Sequence, residues 1–330
     1  MARDLEQMMR ALRRYLAGGE ALTRIVPLST GHSNETYLLE GVGGSGRILR
    51  MPPSEEGLLP PYDMARQHAI LKWVGDAEQG PPVPKVFELC VDPKIVGDPF
   101  FVMERLDGEA FEYAVPDWVA AADQTTRSHM CEQWIGAITA LHRLPSAGMP
   151  AEATTVRIEA SHWRAVAGEA EAPKALLDLL DDLVARPPRA SGSPTPVHGD
   201  PKHGNCLWKR GGELLAFLDW EMAHVGEPLT DLGYLVSFYD QGEAALASAG
   251  FELPGWWSRE RTVAAWEDAT HRTALDLRRY EVLGMCKIAA IIALGYHLFR
   301  SGRATDRRFE GWGAVIPKFL ALALERSSLG

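Results

Sequence analysis

Asp200, Asn205 and Asp219 lie within one stretch, Val197 to Asp219, that reads VHGDPKHGNCLWKRGGELLAFLD. A carboxylate, an amide five positions on and a second carboxylate closing an apolar run are the set that phosphoryl transfer from magnesium–ATP needs. One carboxylate would orient and deprotonate an attacking hydroxyl, while an amide oxygen and the other carboxylate would hold the metal. The transition state is loose, so a protein contributes mainly positioning and charge neutralisation. An isolated D-x-x-x-x-N carries little weight, because short motifs have many false positives. His198-Gly199 ahead of it and Asp219-Trp220-Glu221 behind it give this one its force.

The flanking elements suit that role. Pro196 to Gly199 reads as an extended entry into a tight loop. Cys206 to Lys209 and Leu214 to Leu218 read as two strands joined at Gly211-Gly212. A hairpin brings its ends together, so Asn205 and Asp219 are expected to face one metal.

Further upstream, Thr23–Leu28, Glu35–Glu40 and Arg47–Met51 read as strands, Asp63–Val74 as a helix, and Val86–Val91 and Pro99–Arg105 as strands. Asp4–Ala17 has helical spacing. From Phe111 the pattern is mostly helical, with helices over Arg127–Leu144, Leu176–Ala185 and Asp231–Phe238 and three late helical stretches within Ala244–Leu324. Arg186 to Pro196, RPPRASGSPTP, has the composition of a linker. The kinase-like reading implied by the resemblance described next instead puts the boundary near Asp107-Gly108 and makes this a surface loop, since a cut at residue 187 would part the metal-site hairpin from the strand of Arg50 that must face it. That gives an N-terminal nucleotide-binding lobe, 1–107, and a mostly helical catalytic and substrate lobe, 108–330: an α+β, two-lobed fold.

HGD, the Asn five residues past its Asp, and DWE resemble the signature elements of the aminoglycoside phosphotransferase family, the kinase-like small-molecule phosphotransferases. The resemblance runs further along the chain. Gly31 to Tyr37 is similar to the family's nucleotide-covering loop, Ile48-Leu49-Arg50 to its basic strand, Phe101 to Gly108 to its interlobe hinge, and Gly226 to Gly233 to the segment after DWE. Within the family, Arg50 to Pro53, Gly226 to Gly233 and Tyr280 to Leu298 resemble the kinase-like domains fused to acyl-CoA dehydrogenases.

The resemblance implies a protein-kinase-like fold binding ATP and magnesium between its lobes. Asp200 is then the base, Asn205 and Asp219 the metal ligands, and Arg50 the phosphate contact. Ser33, with Ser29 and Thr30, would cover the phosphates. Met103 would line the adenine pocket beside the Glu104 carbonyl and the Leu106 amide. Lys202 would stabilise the transferring phosphate, with a solvated lysine as the alternative. His198 takes a structural place in the loop, and Asp231 organises it. The acceptor would be a small-molecule hydroxyl, a hydroxyacyl thioester in the fusion subgroup or an aminoglycoside-like compound in the resistance branch, bound near the helices from Trp256 onward.

Three departures stand out. Arg50 replaces the lysine of protein kinases but keeps a two-donor grip on phosphate. Gln67 falls where relatives place a glutamate that pairs with the basic strand. Gly204 replaces an acidic residue that many relatives carry before the Asn. The last two keep open a non-catalytic nucleotide-binding module, and nucleotidyl transfer would use the same metal ligands.

Composition narrows the classes. The 330-residue chain has 46% hydrophobic and 24% charged residues, an ordinary globular balance. Its net charge of −10 argues against a nucleic-acid partner, which needs a basic face. Cys90, Cys131, Cys206 and Cys286 have no metal or disulfide spacing and read as buried thiols. The run Ile288 to Leu294 reads as a buried helix, shorter than the roughly 20 residues of a membrane span. Met1 to Gly18 is charged throughout, unlike a signal peptide, so a cytoplasmic location with no membrane partner is expected. Oligomeric state leaves no mark in the sequence.

Overall fold

A computed structural model describes residues 3–28, 33–44, 46–112, 114–239 and 251–328. The Asp4 side chain accepts from the Glu6 and Gln7 amides and starts α1 (Leu5–Tyr15). β1 (Leu22–Leu28), β2 (Glu35–Gly41) and β3 (Gly46–Met51) follow, then α2 (Met64–Gly75), β4 (Val86–Cys90) and β5 (Phe100–Glu104). The five strands form one antiparallel sheet in the order β1-β2-β3-β5-β4.

Side chains alternate across a sheet, and here the alternation sorts core from cleft. Tyr37, Leu49, Met51, Phe100 and Val102 are buried with Met8 and Leu12 of α1. Arg50 and Ile48 therefore point to the other face, opposite Phe101 and Met103. Phe101 joins the larger core, and Met103 packs against it. An arginine flanked by Leu49 and Met51 thus lands on the face turned to the catalytic segment, where its side chain is only 15% exposed.

The rest is mainly helical: α3 (Asp117–Ala120), α4 (Gln124–Arg143), α5 (Val156–Glu169) and α6 (Lys174–Ala185), then β6 (Thr195–Val197), β7 (Cys206–Lys209), β8 (Glu213–Phe217) and β9 (His224–Gly226), then α7 (Leu229–Val236), α8 (Arg259–Thr270), α9 (Leu277–Arg300) and α10 (Ile316–Ser328). β7 pairs with β8 and β6 with β9, both antiparallel. The architecture is the expected mix of an antiparallel-sheet lobe and a helical lobe.

Two segments need more than their composition to place. Residues 186–196 have linker composition but are fastened to the helical lobe. Arg189 pairs with Asp276 at 2.8 Å, its carbonyl accepts from the Tyr280 hydroxyl, and Ser191 donates to Glu227. The apolar run at 288–294 is the middle of a 24-residue helix, α9. By length and composition Leu277–Arg300 would cross a bilayer, yet 78% of its apolar window is buried inside the fold. The four cysteines are free and buried.

Candidate active site

β6 delivers the chain to the His198-Gly199-Asp200 turn. Gly199 has φ +84°, and a Cβ there would stand 2.6 Å from the Met222 carbonyl oxygen, so only glycine fits. Asp231, in the first turn of α7, holds the turn by its amides. Its Oδ2 accepts from the His198 amide at 2.7 Å and its Oδ1 from the Gly199 amide at 2.8 Å. His142 Nε2 donates to the same carboxylate at 3.0 Å, while His142 Nδ1 accepts from Trp266. Burial raises the Asp231 pKa, but these donors, His142 first, outweigh it and hold the group down to about 2. His198 Nδ1 accepts from the Asp200 amide at 3.1 Å and Nε2 donates to the Leu218 carbonyl at 2.8 Å. Its ring stacks on Phe217 at 4.3 Å, and burial lowers its pKa, so it stays neutral as a brace.

Asp200 itself is held on one side. Its Oδ2 accepts from Asn205 Nδ2 at 2.9 Å and lies 3.6 Å from Lys202 Nζ. Its Oδ1 is buried and has no partner at ordinary hydrogen-bond distance, while the Tyr234 hydroxyl also interacts with the carboxylate. Burial opposes ionisation, but Lys202, then the Tyr234 hydroxyl, His198 and Asn205 together prevail and keep the carboxyl below the usual range. Lys202 also pairs with Glu112 at 2.9 Å. Glu112 packs over Gly204, where an added Cβ would meet its Cβ at 3.0 Å. Glu112 thus lies against the loop at Gly204, where a bulkier residue would crowd it. Trp134 of α4 donates to the Pro201 carbonyl at 3.0 Å and anchors the loop from below.

The hairpin joins Asn205 to Asp219 as its register predicts. Cys206 opposes Phe217, and the Leu218 amide donates to the Asn205 carbonyl at 2.7 Å. Asp219 takes the left-handed conformation, φ 67°, which aspartate tolerates better than most residues. Asn205 spends its Nδ2 on Asp200, so its side-chain oxygen is the atom left for a cation. An Asn oxygen and an Asp carboxylate fit magnesium, which needs only one or two carboxylates when substrate phosphates complete its octahedron. Among the described residues no group of three or more His, Cys, Asp or Glu side chains converges as a ready-made metal cluster.

Arg50 reaches across to this corner, where its Nη2 donates to Asp219 and lies 3.4 Å from Glu221 Oε2. Burial lowers the guanidinium pKa, but Asp219 and Glu221 more than reverse it. The hydrogen bonds of Arg50 run to the segment after the hairpin and not to α2. Arg50 makes no hydrogen bond to Gln67, which is buried within α2. α2 sends Arg66 into the helical lobe instead, to the Glu221 carbonyl at 2.9 Å and to the Ala223 carbonyl. Glu221 also accepts from Asn34, and Ser33 interacts with it. Burial, and then the Asp219 charge, push the Glu221 carboxyl up to about 7. Glu221 therefore ties the end of the covering loop and the basic strand to the segment after Asp219. Ser29, Thr30, Gly31 and His32 lie outside the described residues.

At the hinge, Met103 pairs with Ile48 and Glu104 with Arg47, and Leu106 is half-buried just beyond. A Cβ on Gly108 would come within 2.8 Å of Leu207 and 3.0 Å of the Trp208 carbonyl. Glu109 and Trp208 then exchange backbone bonds of 2.8 and 3.0 Å, joining the hinge exit to the metal-site hairpin.

Sequence reasoning quoted Glu221 within DWE but gave it no role, and it gave Glu112 and Asn34 none either. Glu221 carried a signal in its place two residues after Asp219 and Asn34 in its place within the Gly31 to Tyr37 loop, while Glu112 carried none.

An antiparallel sheet set over a helical lobe, with this carboxylate–amide–carboxylate corner and a basic strand facing it, defines a kinase-like phosphotransferase. Residues 24–267 match the profile described as the phosphotransferase enzyme family, and the chain belongs to that family. It is 27% identical to rat acyl-CoA dehydrogenase family member 11 over 72% of this chain and 31% of that protein. It is 28% identical to mouse acyl-CoA dehydrogenase family member 10 over 68% of this chain and 22% of that protein. The chain thus spans under a third of these relatives. Among solved structures, a proposed aminoglycoside phosphotransferase from Ralstonia eutropha superposes with a TM-score of 0.78 at 20% identity, covering 99% of both chains. The type I macrolide 2'-phosphotransferase superposes with a TM-score of 0.62 at 16% identity, covering 96% of this chain and 99% of that one. A GDP and kanamycin complex of an aminoglycoside phosphotransferase gives 0.59 at 13% identity and 98% of both. At these identities the structures establish the fold.

Proposed function

We propose that this phosphotransferase moves the γ-phosphate of ATP, with magnesium, onto a hydroxyl of a small molecule. The observation that carries the reading is the single corner where Asn205 hydrogen-bonds the Asp200 carboxylate while the hairpin sets it beside Asp219 and Arg50. Asp200 takes the proton of the acceptor hydroxyl through Oδ1, the oxygen that Asn205 does not hold. Asn205 and Asp219 hold the metal, which when bound neutralises phosphate charge. Arg50 grips the nucleotide phosphates, and Lys202 stands next to the base, where charge develops on the transferred group. Met103, the Glu104 carbonyl and the Leu106 amide receive adenine, with the lobes dividing near Asp107-Gly108.

Likeness to acyl-CoA dehydrogenase family members suits a hydroxyacyl thioester as acceptor, and likeness in fold to aminoglycoside phosphotransferases suits an aminoglycoside-like compound. A cytoplasmic location would place the protein with its nucleotide. A library of hydroxyl metabolites incubated with ATP and magnesium, read by mass spectrometry, tests the reading. A phosphate gain on one class of acceptor supports it. Gain of AMP would instead assign nucleotidyl transfer.

A further inference from the structure

α9 carries a charge in the middle of its apolar length. Lys287 sits between Cys286 and Ile288 and is 4% exposed. A buried ammonium is costly unless its donors are satisfied. Lys287 Nζ donates to the Gly199 carbonyl and lies 3.8 Å from Glu159 Oε1 of α5. It faces the rings of Trp163 and Tyr234, each at 5.2 Å. Glu159 is itself buried, with His224 Nε2 4.0 Å from its other oxygen.

The carbonyl involved belongs to the peptide group that joins Gly199 to Asp200, which is planar. Its oxygen accepts from Lys287, and its N–H donates to His198 Nδ1. The preceding amide is held by Asp231. The plane from which Asp200 springs is thus pinned at both edges, by α9 on one side and by the turn's own histidine on the other.

We propose that Lys287 is a positioning residue for phosphoryl transfer: held by Glu159, it fixes the Gly199–Asp200 peptide so that the Asp200 carboxylate meets the acceptor hydroxyl. The proposal rests on Asp200 being the base. It deepens that reading by locating the base's support on a helix 87 residues later in the chain, between positions 200 and 287. Small displacements of a reacting group cost rates far more than they cost binding.

The test uses Lys287→Met, Lys287→Met with Glu159→Gln so that no buried carboxylate is stranded, and Lys287→Arg. Each is made in the wild-type and Asp200→Asn backgrounds. Magnesium-dependent phosphate release from ATP gives kcat and KM, calorimetry gives ADP affinity, and thermal melting reports folding. Both methionine variants should lose roughly ten- to a hundredfold in kcat while KM and ADP affinity stay within about twofold. Lys287→Arg should recover most of the rate. In the Asp200→Asn background the methionine change should cost nothing further, because the group it positions is gone.

An unchanged kcat in folded Lys287→Met, or an equal loss with and without Asp200, overturns the proposal. So does loss of folded protein in all three variants, Lys287→Arg included, which would assign the lysine to the fold alone. If the wild type neither transfers nor releases phosphate, the kinase reading itself fails and takes this proposal with it. That result differs from an active wild type insensitive to position 287.

Discussion

Arg50 finds its carboxylates across the cleft. Its partners Asp219 and Glu221 lie about 170 residues away, beyond the reach of any local pattern, whereas Gln67 lies within the helix that follows. The sequence marked Asp200, Asn205 and Asp219 because their spacing within one loop and hairpin is itself the geometry. It did not mark Glu221 or Glu112, whose roles exist only after the lobes are placed. A contrast between two substitutions tests this pairing. Gln67→Glu would bury an added carboxylate at a position that makes no hydrogen bond to Arg50, so urea unfolding should show a loss of at least about 2 kcal/mol at neutral pH rather than a tighter site. Glu221→Gln should keep most of the stability but weaken ATP binding by roughly 1.5–3 kcal/mol, the worth of a charge-assisted hydrogen bond, through a looser Arg50. The reverse ranking in calorimetry would return the pairing role to α2.

At the scale of elements, apolar periodicity made most of the chain legible, and the caps became visible only in the fold. Asp4, Asp63 and Asp123 cap α1, α2 and α4 where polar residues precede apolar periodicity. α5 was not read in advance, although Thr155 caps it, because its buried face of Val156, Ala160, Trp163 and Ala167 is interrupted by Glu159. The loop between Asp200 and Asn205 illustrates tertiary control of chemistry. His203 packs against Phe111 at 5.2 Å and Trp134 at 5.9 Å, and burial followed by the Lys202 charge lowers its pKa to about 3. The folded state thus holds this imidazole neutral, while the unfolded chain protonates it near 6.5. Its contribution to stability is complete above about pH 6.5 and drains away as pH falls toward 3, by up to about 1.4 kcal/mol per pH unit. His203→Leu should flatten that part of the stability profile, leaving the slope from buried His198. A profile unchanged between pH 6.5 and 4 would show that His203 is protonated in the fold.

For the molecule as a whole, the strand-strand-strand-helix-strand-strand order and the helical remainder followed from periodicity, while the composition of residues 186–196 pointed to a linker. That segment is tied down by Arg189 and Ser191 through partners near residues 227 and 276, which composition cannot reveal. A cleft that joins the two lobes through Arg50 and Arg66 should respond to nucleotide as a unit. Calorimetry should show ATP binding that weakens at least tenfold in excess chelator, and Asp219→Ala should abolish the metal dependence while melting at a temperature near wild type. Equal affinity with and without magnesium would remove Asn205 and Asp219 from the metal site.

The central claim is that Asp200 is a base and Asp219 a metal ligand in phosphoryl transfer, and one comparison reaches it most directly. Phosphate transfer to the acceptor found by mass spectrometry, or phosphate release from ATP until one is found, is measured beside ATP affinity for wild type, Asp200→Asn and Asp219→Asn. Asp200→Asn should keep ATP affinity within about twofold and lose roughly 10²–10⁴ in turnover, because the amide cannot take the proton. Asp219→Asn should lose both binding and turnover. Undiminished transfer by Asp200→Asn would contradict the account.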